Sequence, residues 1–357
     1  MHAKLAMDTT AHRIDLDQAL AQLRQRQPGL RAIDTARTLG ISEAELLQLE
    51  AQPRLRNDFA ALLQVLPKLG RVMVLCRNHA CVHERFGCYE KVHIHNGIGV
   101  VLGPDIDLRL FLNRWASGFS CTQQLPSGER ESLQFFDDQG GAVHKIYRVA
   151  ETDSGAWHAL RSKWQDASAN PLAAHAPTQR AALIDDAAVD LEGLRKDWKS
   201  LQDTHDFHDL MARHQVQRPQ AYRLVGEPLA YAVSNTAVVE LLQKVSQEKA
   251  PIMAFVGNGG AIQIHTGPVE KLAWRGNWFN ILDTDFNLHL NTGVIAQTWI
   301  VRKPTRDGIV SALELYSANG EQILQLFGAR KPGQPELPQW RRLLGGLLSE
   351  REHELTP

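Results

Sequence analysis

The sequence lacks several features that would assign it to a common protein class. Its four cysteines (Cys76, Cys81, Cys88 and Cys121) all lie in the first half of 357 residues, which argues against a disulfide framework. It has 39 basic and 40 acidic residues, so no overall positive field favours nucleic acid. The first residues contain no apolar run of the kind that a secretion signal has, and no apolar run in the sequence is long enough to span a bilayer. These absences predict a cytoplasmic protein with no nucleic-acid partner and no integral membrane segment.

Familiar catalytic and nucleotide-binding motifs are also missing. The patterns GxSxG, HExxH and GxxxxGK[ST] do not occur. The stretch VGNGGAI from Val256 has the glycines of a dinucleotide loop, but no helix is expected after it, which excludes a Rossmann fold. We instead predict that Asn258-Gly259 forms the tip of a hairpin, in a turn with positive φ.

The sequence does contain an internal duplication at a spacing of 180 residues. The segment from Arg71 aligns without a gap on the segment from Pro251, and this alignment keeps turn glycines in step: Gly87 with Gly267, Gly128 with Gly308, and Gly140 with Gly320. A shared hydrophobic pattern alone does not preserve turn glycines, so the alignment indicates two copies of one structural unit.

Each copy is predicted to contain helices, then an antiparallel sheet, then a helix with a tryptophan. In the first copy, Ser42 and Glu45 form the capping box of a helix. The fold class is therefore α+β, a tandem structural repeat in which each half is a large antiparallel sheet with flanking helices. We expect a first repeat at residues 1–164, a proline-broken linker at 165–186, and a second repeat at 187–357.

The segment from Asp190 is predicted to be one amphipathic helix that ends before Pro219. Its apolar residues recur at spacings of three and four, and His205 and His208 share that face. Two buried imidazoles that bond to carbonyl groups would explain this pattern, and so would ligands to iron or zinc. The first copy has no matching histidine. In the same alignment Arg109 faces His289 and Lys303 faces Gln123, so the two copies differ chemically at these positions.

A Cys/His-rich stretch, CRNHACVHERFGCYEKVHIH from Cys76, is the other candidate metal site. It lacks paired C-x-x-C ligands and is expected to fold back as a hairpin, which weakens a zinc interpretation. His93 and His95 would share one face of a strand, so either a surface metal or a contact to a bound group remains open.

Several motifs, in order and over nearly the whole chain, resemble the bacterial haemin-degrading or haem-utilisation proteins (HemS, ChuS and PhuS). They are VHERFGCYE from Val82, IDLRLFLNRW around Arg109, DTHDFHDLM around His205, and IVRKPTRDG through LELYSANGEQILQLFGAR, which ends at Arg330. The fold of that family is a tandem repeat of antiparallel sheets with helices, in agreement with the duplication.

The resemblance implies a set of haem-binding residues. His205 matches the proximal ligand to the haem iron, and Arg109 matches a distal arginine with a catalytic role. Lys303 and Arg330 match residues near the haem edge and its propionates, and Phe111 and Phe255 match apolar neighbours of the ring. Phe327 stands where relatives have a tyrosine, so the hydrogen bond from that phenol is missing here. His208 is a further candidate, either as an alternative ligand or as a residue on the helix surface.

Two functions follow from the resemblance, and a third from the Cys/His-rich stretch. The first is oxygen-dependent opening of the porphyrin to release iron, with electrons from an external reductant because the chain has no flavin or nicotinamide motif. The second is a haem carrier that receives haem from an importer and passes it to a separate haem oxygenase. The third is a zinc enzyme.

Overall fold

The computed structural model describes residues 15–126, 128–169, 172, 184–331 and 333–354. Most of the expected linker at 165–186 lies outside these residues. Among the helices that are described, none is long and apolar enough to cross a membrane.

The helices fall before and after the strands of each copy, as predicted, except that in the second copy one short strand, Ala230–Val233, lies among the leading helices. Helix α1 includes residues 15–26, and short 3-10 turns occur at Leu66–Leu69, Leu112–Arg114, Asp186–Ala188, Thr204–Asp206 and Thr292–Val294. The capping box of Ser42 and Glu45 is present at the start of α3. The other helices are α2 (Ala32–Leu39), α3 (Glu43–Leu49), α4 (Phe59–Val65), α5 (Ser154–Trp164), α6 (Leu191–Lys199), α7 (Phe207–Arg213), α8 (Arg218–Val225), α9 (Ala237–Gln247) and α10 (Pro338–Glu354).

The strands form two large antiparallel sheets, which confirms the predicted fold class. The first copy supplies β1 (Gly70–Arg77), β2 (Cys81–Cys88), β3 (Val92–His95), β4 (Ile98–Leu102), β5 (Asp107–Phe111), β6 (Ser117–Leu125), β7 (Gly128–Phe136) and β8 (Ala142–Thr152). The second supplies β9 (Ala230–Val233), β10 (Ile252–Gly257), β11 (Ala261–Gly267), β12 (Leu272–Arg275), β13 (Trp278–Leu282), β14 (Phe286–Asn291), β15 (Gln297–Thr305), β16 (Gly308–Tyr316) and β17 (Gln322–Gly328).

The two copies exchange three strands each. The eight-stranded sheet has the order β12-β13-β14-β2-β1-β8-β7-β6, and the nine-stranded sheet has the order β3-β4-β5-β11-β10-β17-β16-β15-β9. Strand β5 of the first copy pairs with β11 of the second, and β14 of the second pairs with β2 of the first. Each sheet therefore contains backbone ladders between the copies, so the copies cannot separate without breaking both sheets.

Two of the three glycine pairs that revealed the duplication occupy matching conformations. Gly128 and Gly308 have φ of 116° and 105°, and Gly140 and Gly320 have φ of 72° and 76°. These left-handed values favour glycine because they penalise a Cβ atom. The spacing of 180 residues thus reflects a shared backbone path.

Asn78 and its repeat equivalent Asn258 close their hairpins in a way the sequence did not suggest. Each side-chain oxygen accepts backbone N–H bonds two and three residues ahead. The expectation of positive φ at Asn258-Gly259 is wrong, because this side-chain turn makes a left-handed residue unnecessary. The Asn78 amide donates to the carbonyls of Gly257 and Ile323, and the Asn258 amide donates to carbonyls of the first copy. Both asparagines therefore link the copies.

Two buried histidines, His83 and His265, pack against the same ring, that of Phe286. Gln263, the repeat equivalent of His83, donates from Nε2 to His83 Nδ1 over 2.7 Å, and the His265 ring stacks on Phe286 at 3.8 Å. Burial, assisted by His265 and Arg85, lowers the pKa of His83 well below 6.5. Burial and Arg85 lower the pKa of His265 to about 4. Both rings are therefore neutral in the folded protein at neutral pH.

These histidines predict an acid-sensitive fold. The unfolded chain binds protons at these rings below about pH 6.5 and the folded chain does not, so stability falls as pH drops from about 6.5 towards 4. His83→Gln copies the residue of the second repeat. It should remove the contribution of one histidine to the pH dependence of the free energy of unfolding, about 1.4 kcal/mol per pH unit. Urea unfolding at several pH values measures this difference. The exposed His93→Gln variant is the control, and equal pH dependence in the wild type and His83→Gln would contradict the assignment.

Candidate functional site

One face of the nine-stranded sheet collects most of the residues named by the sequence. Arg109 on β5 lies opposite Ile262 on β11, and Ile262 lies opposite Gly257 on β10. Phe255 is two residues from Gly257 and therefore points to the same side, because strand side chains alternate. The exchanged strand thus brings Arg109 of the first copy onto a face that is otherwise built by the second.

The same face continues through the strands of the second copy. Phe327 on β17 lies opposite Met253 on β10 and opposite Ala312 on β16, so its side chain points to the same side as Phe255. The centroids of the Phe255 and Phe327 rings are 5.2 Å apart. Lys303 lies on this side of β15, two residues from Val301, the partner of Ala312. We call the outer face that carries Arg109, Phe111, Phe255, Phe327 and Lys303 the cleft face.

At β10 the cleft face is half-buried, whereas the opposite face of the strand is buried. Along β10, Met253, Phe255 and Gly257 are half-buried, while Ile252, Ala254 and Val256 are buried and belong to the core that includes α9 and α10. Strands β11, β10 and β17 form an apolar floor, whose outer strands lie about 10 Å apart at an interstrand spacing of about 4.8 Å. Such a floor suits a flat apolar ligand.

Helices α6 to α8 pack on the β9 and β15 end of the cleft face. The Trp198 ring nitrogen donates to the Arg302 carbonyl over 2.9 Å, and the Gln202 carbonyl accepts from the Arg306 backbone over 3.0 Å. The Lys303 ammonium sits 4.4 Å from the centre of the Phe207 ring. The helical segment that contains His205 is therefore anchored at one margin of the apolar floor.

The segment from Asp190 is not one helix, so that prediction is wrong. Asp190 caps α6, but α6 ends at Lys199, a 3-10 turn covers Thr204–Asp206, and α7 starts at Phe207. The helical period fails after Leu201 because Asp203 starts a new helical turn by accepting the His205 backbone N–H over 2.9 Å. Within α7 the buried positions are Phe207, Leu210 and Met211.

His205 is consequently exposed, not buried as its apparent helix face suggested. Its side chain keeps 86% of its accessible surface, and its Nδ1 donates to Asp203 Oδ1 over 2.6 Å. A carboxylate can only accept, so the ring proton lies on Nδ1 and the Nε2 lone pair is free to bind a metal. His208 is exposed as well, and it lies one residue into α7.

Arg109 is already paired within its own strand. Its guanidinium binds the Asp107 carboxylate, which lies two residues away on the cleft face, and donates to the Leu108 carbonyl over 3.1 Å. The side chain is about one-third exposed. The carboxylate orients the guanidinium and offsets its charge, two effects that the sequence pattern did not predict.

Lys303 is more deeply buried than expected for a residue near the haem edge and its propionates. It is buried and donates to Glu314 Oε1 over 2.8 Å. Burial lowers the pKa of Lys303 to about 8 against the attraction of Glu314. Burial opposes ionisation of Glu314, but Lys303 and Arg218 outweigh it and hold the pKa of that carboxyl below its ordinary value. Tyr222 also donates to Glu314, over 2.6 Å.

The two remaining predicted residues lie at opposite ends of the site. Arg330 follows β17 and is mostly buried, 3.5 Å from the Asp307 carboxylate and 3.4 Å from the Gln334 carbonyl. Phe111 lies at the end of β5, half-buried, and its backbone N–H donates to the Gly260 carbonyl over 2.9 Å. Arg330 thus lies nearer Lys303, and Phe111 nearer Arg109.

The Cys/His-rich stretch does not assemble a metal centre. Within the residues that the structure describes, no group of three or more His, Cys, Asp or Glu side chains could hold a metal ion. Cys76 and Cys81 are buried thiols, and burial raises the pKa of Cys76 to about 12. His93 and His95 do share a face of the edge strand β3, and both are exposed.

The comparisons with known proteins agree with the repeat. The model of the haemin-degrading HemS.ChuX domain matches the chain twice, at residues 40–164 and 215–347. The hemin transport protein HemS of Yersinia enterocolitica is 44% identical over 329 residues, covering 90% of this chain and 93% of the relative. The hemin transport protein HmuS of Yersinia pestis is 42% identical over 343 residues, covering 94% and 98%. His205 lies between the two matched domains, within the stretch that the domain model omits.

Solved structures give the same result. The haem-loaded form of PhuS, a haem-binding protein from Pseudomonas aeruginosa, superposes with a TM-score of 0.91 at 45% identity, covering 94% of this chain and 99% of that protein. ChuS, described as a haem oxygenase of Escherichia coli, superposes with a TM-score of 0.85 at 37% identity with the same coverage.

The buried Lys303–Glu314 pair allows a direct test because the first copy has Gln123 and Gln134 at the equivalent positions. Glu314→Gln alone leaves two cations without their carboxylate and should lower the free energy of unfolding by roughly 3–5 kcal/mol. Adding Lys303→Gln should restore part of this loss, since it removes one of those buried charges. Urea unfolding measures both variants. A double variant less stable than Glu314→Gln would contradict this account of the pair.

Proposed function

The chain belongs to the haemin-degrading HemS.ChuX family, and from that membership we propose that it binds haem on the cleft face and acts in haem-iron acquisition. The observation that carries the proposal is the free Nε2 of His205 at the margin of the apolar floor formed by β11, β10 and β17. A flat apolar ring with a central iron and two carboxylates matches these parts.

The roles of the other residues follow from their positions. Phe255 and Phe327 would cover a porphyrin face and exclude water from it. This burial of apolar surface would supply most of the affinity. Arg330 would pair with a propionate. Lys303 is held by Glu314 and contacts Phe207, so its contribution is to brace the segment that carries His205.

The activity we propose is oxygen-dependent opening of the porphyrin ring, with release of iron. Bound haem supplies the iron at which oxygen and electrons from an external reductant would react. The part of this chain is to hold the ring in place and to present Arg109, whose permanent charge and N–H groups stabilise negative charge opposite His205. The oxygenase description of ChuS supports this activity.

Delivery of haem to a separate oxygenase is the second candidate. Two exposed histidines three residues apart, His205 and His208, could exchange as ligands while haem passes from an importer to an acceptor. Pairing of Arg109 with Asp107 and the absence of a phenol at Phe327 also favour carriage over catalysis.

Haem titration tests the binding site. His205→Ala should weaken haem binding by at least about tenfold, equivalent to about 1.4 kcal/mol, and should shift the Soret band because the axial ligand changes. The exposed His158→Ala on α5 is the matched control and should bind as the wild type does. An unchanged affinity and spectrum for His205→Ala would rule out this site.

Turnover with an electron donor and catalase separates the two candidate functions. Ring opening predicts loss of the Soret band and a defined tetrapyrrole product. Arg109→Ala should slow this at least about tenfold, in the range of a lost electrostatic contact, while binding changes little. Arg114→Ala, an exposed arginine after β5, is the control. If the wild type forms no product but transfers haem to an added oxygenase, ring opening is rejected and haem delivery is the function.

A further inference from the structure

We propose that Asp203 is a positioning residue that selects Nε2 of His205 as the iron ligand and makes that nitrogen a stronger electron donor. The inference rests on the proposed function, because it requires His205 to bind the haem iron. It assigns a role to a carboxylate that lies outside the predicted site and outside both matched domains.

The geometry around Asp203 is fixed by two bonds to the same oxygen. Oδ1 accepts the His205 backbone N–H over 2.9 Å and the His205 ring Nδ1–H over 2.6 Å. The backbone of Asp203 is extended, and its side chain starts the 3-10 turn Thr204–Asp206. The backbone bond therefore holds the carboxylate in place whether or not the ring is bound, so the ring is oriented in advance.

This arrangement distinguishes His205 from the two other histidines of the segment. His214 binds the Asp197 carboxylate through Nε2 over 3.1 Å, and its side chain is only 13% exposed, so its outer nitrogen is already used. His208 is exposed but has no carboxylate partner among the described residues. Of these three, His205 alone combines an accessible Nε2 with a carboxylate on Nδ1.

The carboxylate also changes the strength of the ligand. A negative group that accepts the Nδ1 proton draws it away from the ring and increases the electron density at Nε2. A more electron-rich imidazole stabilises ferric iron more than ferrous iron, so the reduction potential falls. We expect Asp203 to favour the ferric state and to raise haem affinity.

The test is Asp203→Asn, in which the amide oxygen can still accept both bonds but carries no charge. Ferric haem affinity should fall by about tenfold or more, within the range known for partners of metal-ligating histidines. The midpoint potential of bound haem should rise, and the iron–histidine stretching frequency of the ferrous form should fall. Asp206→Asn, an exposed aspartate in the same 3-10 turn, should leave all three unchanged.

A measurement on the unmodified protein does not depend on how the variant folds. Nitrogen-15 NMR of the ligand-free wild type should find the neutral His205 ring protonated at Nδ1. A ring protonated at Nε2 would overturn the inference, as would an Asp203→Asn variant whose potential and stretching frequency equal those of the wild type. If His205→Ala binds haem normally, the proposed function itself fails. If His205→Ala loses haem while Asp203→Asn behaves as wild type, only the role of Asp203 fails.

Discussion

The backbone pairing of β5 with β11 is the constraint on which the site depends. It inserts a strand of the first copy into the sheet of the second, and so places Arg109 on the same face as Phe255 and Phe327. If the two copies formed independent sheets joined by a linker, the Arg109 guanidinium would have no fixed position relative to the apolar floor. The reciprocal bonds of Asn78 and Asn258 fasten the same junction with groups that sit 180 residues apart.

The duplication preserved the backbone fold of the two copies, while the side chains at equivalent positions differ, including buried ones such as His83 and Gln263. In the second copy a buried carboxylate, Glu314, comes from the sheet and is held by Lys303 and by Arg218 of α8. In the first copy one buried carboxylate, Glu43, comes from helix α3 and is paired with Arg77 and Lys145 on the sheet. Buried ion pairs require complete partner sets, so each copy has settled on its own arrangement. One fold can therefore carry different side-chain chemistry in its two copies.

The sequence predicted those features that depend on local or repeated patterns. The duplication, the fold class and the Ser42 capping box follow from periodicity, turn glycines and a cap motif, all of which act over short distances. The exposure of His205 was not predicted, because the apolar spacing up to Leu201 continued by chance onto both histidines while Asp203 ended the helical period. An aspartate two residues before His205 was the available signal. The strand exchange and the pairing of Arg109 with Asp107 depend on contacts that no local pattern encodes.

A crystal structure of the haem-loaded protein tests the central claim most directly. The account predicts that the iron is bonded to Nε2 of His205, that the porphyrin lies on the face formed by β11, β10 and β17, and that Arg109 lies on the opposite side of the ring from His205. Haem bound to the eight-stranded sheet, or an iron ligand from outside the segment between the matched domains, would contradict it.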